Sequence, residues 1–288
     1  LCELFTGSRC APCVAADVGL EGIEKTYSKS QVVTLRYHVH VPGHDPLTNE
    51  DCEARFYNYY KAAGTPSVFV DGAALNGAAG VMLNAPQTYR GLRNVIDEFR
   101  GSTKAEVKTD AAAEDKEVSV DADKDESKDG EQGVVTNEKT DPEETEKYES
   151  KVAIDLKVSR QQDTIQVSAT VDGLAAEVSN VRLMLALAES DIKYRAFNGI
   201  RHHDMVVRQL IGGDRGISPK DGVLSFQGDV NVEELRDDLH AYLTVFEENQ
   251  GIEFTSMPLD LTNLSVVAFV QDVETRKVLR TVMVLVSE

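Results

Sequence analysis

The chain has 288 residues, 49 of them acidic and 30 basic, and a formal net charge of −19. That length allows two ordinary domains, each with its own core, and that charge repels phosphate backbones and argues against a nucleic-acid partner. No apolar run reaches the roughly 18–20 residues that span a bilayer, and the four cysteines all fall within the first 52 residues, which excludes a disulfide framework spread through the fold.

The chain opens on LCELF, with no Met and no signal peptide. A natural chain rarely begins in mid-strand, so an upstream segment is expected, whether signal peptide, lipid anchor or linker. Cys2–Thr6 reads as a strand and Pro12–Tyr27 as a helix with Val14, Val18, Leu20 and Ile23 on its apolar side. Gln31–Val41 alternates as a strand. A helix then starts at Thr48 or Asn49, either a good N-cap, and runs through Phe56, Tyr57, Tyr59 and Tyr60 to Gly64. Ser67–Val70 and Ala73–Leu75 flank an Asp71-Gly72 hairpin turn, and Gln87–Phe99 is an amphipathic helix. The order β-α-β-α-β-β-α implies a parallel pair with an antiparallel hairpin beside it.

Residues 101–151 hold 17 Asp or Glu against 8 Lys or Arg, a net of −9, with Tyr148 as the only aromatic. Such a stretch buries too little apolar surface to offset its chain entropy, so it reads as an acidic linker or insertion, largely disordered. The first proteolytic cuts are expected at 123–150. Weak alternation in KAEVKT and KEVSVDA leaves an edge hairpin open.

From Val152 to the end the pattern is β. Strands are expected from Val152, Thr164 and Val181 onward, and at Val223–Phe226, Leu239–Phe246, Leu264–Val270 and Val278–Val286. Together they suggest an all-β antiparallel sandwich. The excursion from Ile192 to Gly216 has room for a short helix.

Cys10-Ala11-Pro12-Cys13 follows a strand and opens a helix, the setting that makes C-x-x-C a redox motif. Unpaired N–H groups at a helix start favour a thiolate at Cys10, and Arg9 adds positive charge. Pro12 suits the first turn, and Cys13 is placed to resolve a mixed disulfide. His38, His40 and His44 form H-x-H-x-x-x-H, a weak metal candidate, while His202 and His203 read as packing or loop residues. The aromatics at 56–60 read as core and helix surface. Cys2 lies at the far end of its strand from the Cys pair, too distant for a Cys2–Cys52 bond if the second helix sits at the Cys-pair edge. Cys2 is therefore expected to be buried and inert, and Cys52 free or an alternative resolving thiol.

ELFTGSRCAPC followed by GTPSVFVDG resembles the thioredoxin superfamily, and the opening is also similar to secreted thioredoxin-like proteins that begin ELFTS. The resemblance covers residues 1–100 and implies a thioredoxin-like α/β domain, with 152–288 as the sandwich domain. It implies that Pro66 is a cis-proline and that Thr65 offers its backbone to a substrate chain. Leu4 stands where thioredoxins bury an Asp, which puts rapid reduction in doubt. Alternation along the strand should turn the adjacent Glu3 to the other face. IRHHDMVVRQLIGG and LSVVAFVQDVETRKVL are similar to the β-sandwich of thioredoxin-like lipoproteins of bacterial outer membranes, implying an extracytoplasmic setting. The expected function is a cofactor-free thiol–disulfide oxidoreductase acting on protein thiols or disulfides through Cys10 and Cys13. The rivals are a non-catalytic binding protein and copper handling by the Cys pair with one His.

Overall fold

The computed structural model of the protein describes residues 1–101, 152–174 and 180–287. The acidic stretch, with its expected hairpin and cleavage sites, lies outside the described residues beyond Gly101.

Strands β1 (Cys2–Thr6) and β2 (Thr34–His38) pair in parallel, and β3 (Ser67–Val70) runs antiparallel to β1 with β4 (Ala73–Leu75) outside it. Helices α1 (Val14–Thr26) and α3 (Ala85–Phe99) cover one face of these strands, burying Leu4, Leu20, Ile23, Val68, Leu92 and Ile96 together. The opposite face is covered by α2 (Glu50–Ala54), capped by the Asn49 side chain accepting from the Cys52 N–H. Helix α2 widens into a π-helical turn at Arg55–Tyr60, which ends in a left-handed Lys61. The wider turn points Arg55, Phe56 and Tyr60 all into the core. Element order over the first hundred residues is as expected. Asp71 and Gly72 both have positive φ, as the turn requires. Gly72 must also lack a side chain, because a Cβ would stand 1.8 Å from the Arg276 carbonyl oxygen.

The second half contributes β5 (Ala153–Gln161), β6 (Thr164–Asp172), β7 (Val181–Glu189), β8 (Ile192–Lys193), β9 (His202–His203), β10 (Val206–Ile211), β11 (Leu224–Asn231), β12 (Leu264–Asp272) and β13 (Val278–Leu285). Strand β10 pairs in parallel with β2, Val206 opposite Arg36, so one eight-stranded sheet runs β13-β12-β7-β10-β2-β1-β3-β4 through both halves. Strands β11-β6-β5 form a second sheet. It packs on the β7–β12 part of the first around Ile165, Val167, Leu185, Leu187, Val266 and Ala268. The other face of the large sheet holds one core drawn from both halves, with Phe5, Tyr37 and Phe56 against Ala186, Val207 and Phe269. The boundary between 100 and 152 is thus a boundary in sequence, with a sheet and a core continuous across it.

The fold class is mixed α/β, and two expectations for the second half fail. Leu239–Phe246, expected as a strand, lies inside α4 (Val232–Gln250). Leu239, Leu243 and Phe246 are buried at helical spacing, Asn231 caps the helix by accepting from the N–H groups of Glu233 and Glu234, and Gly251 ends it in a left-handed conformation. The second half is therefore not all-β. The excursion at 192–216, which had room for a short helix, contains β8, β9 and β10 instead.

Candidate functional site

The site stands at the edge of the sheet where β1 and β2 end. From Thr6 the chain turns through Gly7–Arg9, and the Cys10 N–H bonds the Gly7 carbonyl at 2.9 Å. Gly7 is obligatory, since a Cβ would lie 2.6 Å from the Val41 carbonyl oxygen. A 3₁₀ turn at Ala11–Cys13, with Pro12 in its first positions, leads straight into α1. Cys10 and Cys13 are joined in a disulfide with Cα atoms 5.3 Å apart. Ala11 and Pro12 are exposed, whereas Cys10 and Cys13 are 1% and 0% exposed.

The Thr65–Pro66 peptide bond is cis. Because Ser67 lies opposite Phe5, Pro66 falls beside Thr6, at the edge where the Cys turn begins. The Thr65 hydroxyl donates to the Val41 carbonyl at 2.8 Å, tying this segment to the one that abuts Gly7.

Arg9 is directed into the second half of the chain. Its guanidinium lies 4.0 Å from the centre of the Phe197 ring and donates to the Gln250 side chain at 3.0 Å. Asn198 comes from the same loop. Its N–H bonds the Ser8 carbonyl at 2.8 Å, and its amide donates to the carbonyls of Gly7 and Cys10 at 3.2 and 3.4 Å. The tip of the β8–β9 hairpin thus rests on the Cys turn.

A buried polar layer lies below. His38 Nδ1 meets Asp45 Oδ2 at 3.0 Å, and that oxygen also accepts the Ser8 N–H. The Leu47 N–H bonds the other carboxylate oxygen. Although burial opposes it, His38 and these N–H donors hold the Asp45 carboxyl below its ordinary range. His38 Nε2 is buried with no hydrogen-bond partner among the described residues, 5.4 Å separates the ring centres of His38 and His203, and burial pushes His203 down to about 3. On α1, one turn beyond Cys13, Asp17 accepts from the Thr6 hydroxyl at 2.7 Å and lies 3.6 Å from Arg36. Burial raises the Asp17 carboxyl, Arg36 opposing. Leu4 does point into the α1 core and Glu3 to the opposite face. The buried carboxylate on the α1 side therefore comes from the helix rather than from the strand. Its spacing of four from Cys13 was the available signal. Asp45, Asn198 and Phe197 had no such signal, because only tertiary pairing brings them here.

The three histidines of H-x-H-x-x-x-H are not gathered around one point. His38 is taken by Asp45, while His40 accepts from the Asp45 N–H and packs its ring on His44 at 5.2 Å. Among the described residues no group of three His, Cys, Asp or Glu side chains is arranged to hold a metal ion. Cys2 and Cys52 are free and buried. Burial pushes the Cys2 thiol up to about 12 and the Cys52 thiol higher still. The Cys52 S–H points at the Val207 carbonyl, 3.5 Å away, rather than toward Cys10.

Residues 1–147 of the 288 match the family described as "Protein of unknown function (DUF1223)". The chain belongs to that family. Its fold is similar to that of HBP35 of Porphyromonas gingivalis, with a TM-score of 0.54 and 13% identity over 99% of this chain and 74% of that one. A domain of the outer membrane lipoprotein Omp28 from Porphyromonas gingivalis aligns with a TM-score of 0.30 and 16% identity, over 47% of this chain and 95% of that one. No curated protein matches. No helix among the described residues is long and apolar enough to cross a membrane.

Proposed function

We propose that the protein is a thiol–disulfide oxidoreductase with a thioredoxin-like N-terminal part, working outside the cytoplasm on protein thiols or disulfides. The observation that carries this reading is the Cys10–Cys13 disulfide at the start of α1, at the sheet edge that also bears the cis Thr65–Pro66 bond. Persistent disulfides belong to oxidising compartments, which favours an extracytoplasmic site.

In the oxidised protein a partner thiolate attacks the Cys10 sulfur. The Cys10–Cys13 bond breaks, a mixed disulfide forms, and Cys13 leaves as a thiolate that takes up a proton. A second partner thiolate attacks its own mixed-disulfide sulfur and releases Cys10. The partner dithiol has become a disulfide and the Cys pair a dithiol, so electrons balance without a cofactor. The reverse sequence reduces a partner. In this scheme the Thr65 backbone holds the partner chain, and Arg9, drawn toward Phe197 and Gln250, acts on Cys10 only as a nearby charge. The part formed by 152–288 recognises or docks the partner.

A Cys13→Ser variant that keeps Cys10 free tests this by trapping. Incubation with scrambled ribonuclease should leave a mixed disulfide on Cys10 that dithiothreitol releases. Absence of any adduct on Cys10 would count against the exchange reading.

The near-complete burial of both sulfurs favours a second reading, in which the disulfide is a structural staple on a binding scaffold. The reduction potential separates the two.

A further inference from the structure

The β8–β9 hairpin stands apart from both large sheets. Each of its strands has two residues, and among the described residues they pair with one another alone. The chain enters and leaves through left-handed Asp191 and Met205, at φ 61° and 52°. Its base is held by Ile192 in a small apolar cluster and by His203 against His38. Toward the tip the ladder continues through the Tyr194 N–H to the Arg201 carbonyl and the Ala196 N–H to the Ile200 carbonyl. Beside the tip, between it and α1, a recess of about 820 Å³ opens, with Val14 and Val18 on one side and Asn198 and Ile200 on the other. The tip therefore touches the Cys turn through few groups: Asn198 on the carbonyls of Gly7, Ser8 and Cys10, and Phe197 under Arg9. Phe197 is itself 54% exposed, whereas Cys10, whose carbonyl the Asn198 amide holds, is 1% exposed.

We propose that this hairpin is a cover on the Cys10–Cys13 pair, latched by Asn198 and by the Phe197–Arg9 stack, which must lift before a protein partner reaches the Cys10 sulfur. The purpose of the cover rests on the oxidoreductase reading, but its existence does not. A tip held to the Cys turn by a few polar contacts and one ring stack opens at lower free energy than the sheet beside it. It thus keeps the disulfide closed to casual thiols and opens it to a partner that displaces the tip. The exposed Phe197 ring gives such a partner an apolar handle.

The test compares reduction of the full-length oxidised protein by tris(carboxyethyl)phosphine. The phosphine attacks one sulfur, water supplies its oxygen to the phosphine and protons to the two thiols, and alkylation with mass detection counts those thiols. Phe197→Ala and Asn198→Ala should each speed reduction about threefold to tenfold, the effect of losing one cation–π contact or one hydrogen-bonded anchor. Rates within about twofold of the unaltered chain in both variants would overturn the cover. Should either variant misfold, hydrogen exchange of the unaltered chain decides. The Asn198 N–H should exchange orders of magnitude faster than the Phe269 N–H in β12, and equal protection of the two would overturn the proposal. Faster reduction without any trapped adduct on Cys10 would leave the cover standing and remove the oxidoreductase reading, so the two claims fail separately.

Discussion

Glu3 and Arg55 meet at 2.6 Å in the centre of the molecule, with both side chains sealed from solvent. Tyr60 donates to the second Glu3 oxygen, Arg55 donates to Gln271 at 3.0 Å, and the guanidinium lies among the rings of Tyr37, Tyr59, Tyr60 and Phe269. The pair draws its partners from β1, the π-helical turn and β12, so it couples the two halves as well as neutralising itself.

Breaking that pair leaves a buried charge without a counter-ion, which costs about 3–5 kcal/mol. Arg55→Met should lose that much in urea unfolding. Adding Glu3→Gln should recover part of it, because the stranded carboxylate is then gone. A double variant as unstable as the sum of its single changes would show that the two residues are not coupled.

The elements set by local signals were legible in the sequence. Cys2–Thr6 is a short apolar run, Ser67–Val70 leads into the turn dipeptide Asp71-Gly72, and Pro12 and Asn49 mark helix starts. The misread elements are those where two periods fit the same residues. LHAYLTVF alternates as a strand over a short window, and only the wider run from the Asn231 cap to Gly251 reveals a helix. The excursion at 192–216 carries too few residues per strand to show a period, and β8 and β9 exist because they pair with each other. Of the site, the Cys pair and the Thr65–Pro66 bond were visible as motifs. Asp45, Phe197 and Asn198 were not, because a loop gives no hint of which distant turn it will cover.

His203 makes the fold sensitive to acid. Its folded value near 3, set mainly by burial and then by His38, lies well below the roughly 6.5 of a free histidine. Between these limits the unfolded chain binds a proton that the folded chain refuses, so stability falls as pH drops from about 6.5 toward 3. The slope approaches 1.4 kcal/mol per pH unit at most. Asp45, held low, adds a loss below about pH 4, while Asp17, held high, works the other way above about pH 4, where the folded chain keeps a proton that the unfolded chain has released. Between pH 7 and pH 5 the difference between His203→Gln and the unaltered chain isolates His203, because the carboxyl contributions are common to both. There His203→Gln should lose about 1–2 kcal/mol less than the unaltered chain. Identical losses would refute the assignment.

Thiol labelling checks the cysteine inventory. The native, non-reduced protein should take up no iodoacetamide, because Cys2 and Cys52 are buried with raised thiols and Cys10 and Cys13 are bonded. Unfolding without reductant should expose Cys2 and Cys52 alone. A Cys2–Cys52 crosslink in the mass map, or labelling of Cys52 in the folded state, would contradict the placement of α2 on its core.

The reduction potential of the Cys10–Cys13 pair tests the central claim most directly. Equilibration in glutathione or dithiothreitol buffers, with alkylation and mass detection, gives it without any knowledge of the partner. Redox-active pairs of this kind poise between about −120 and −270 mV, whereas structural disulfides lie below about −300 mV. The account predicts a value inside the first range, and a value below about −300 mV would contradict it and leave the disulfide a staple.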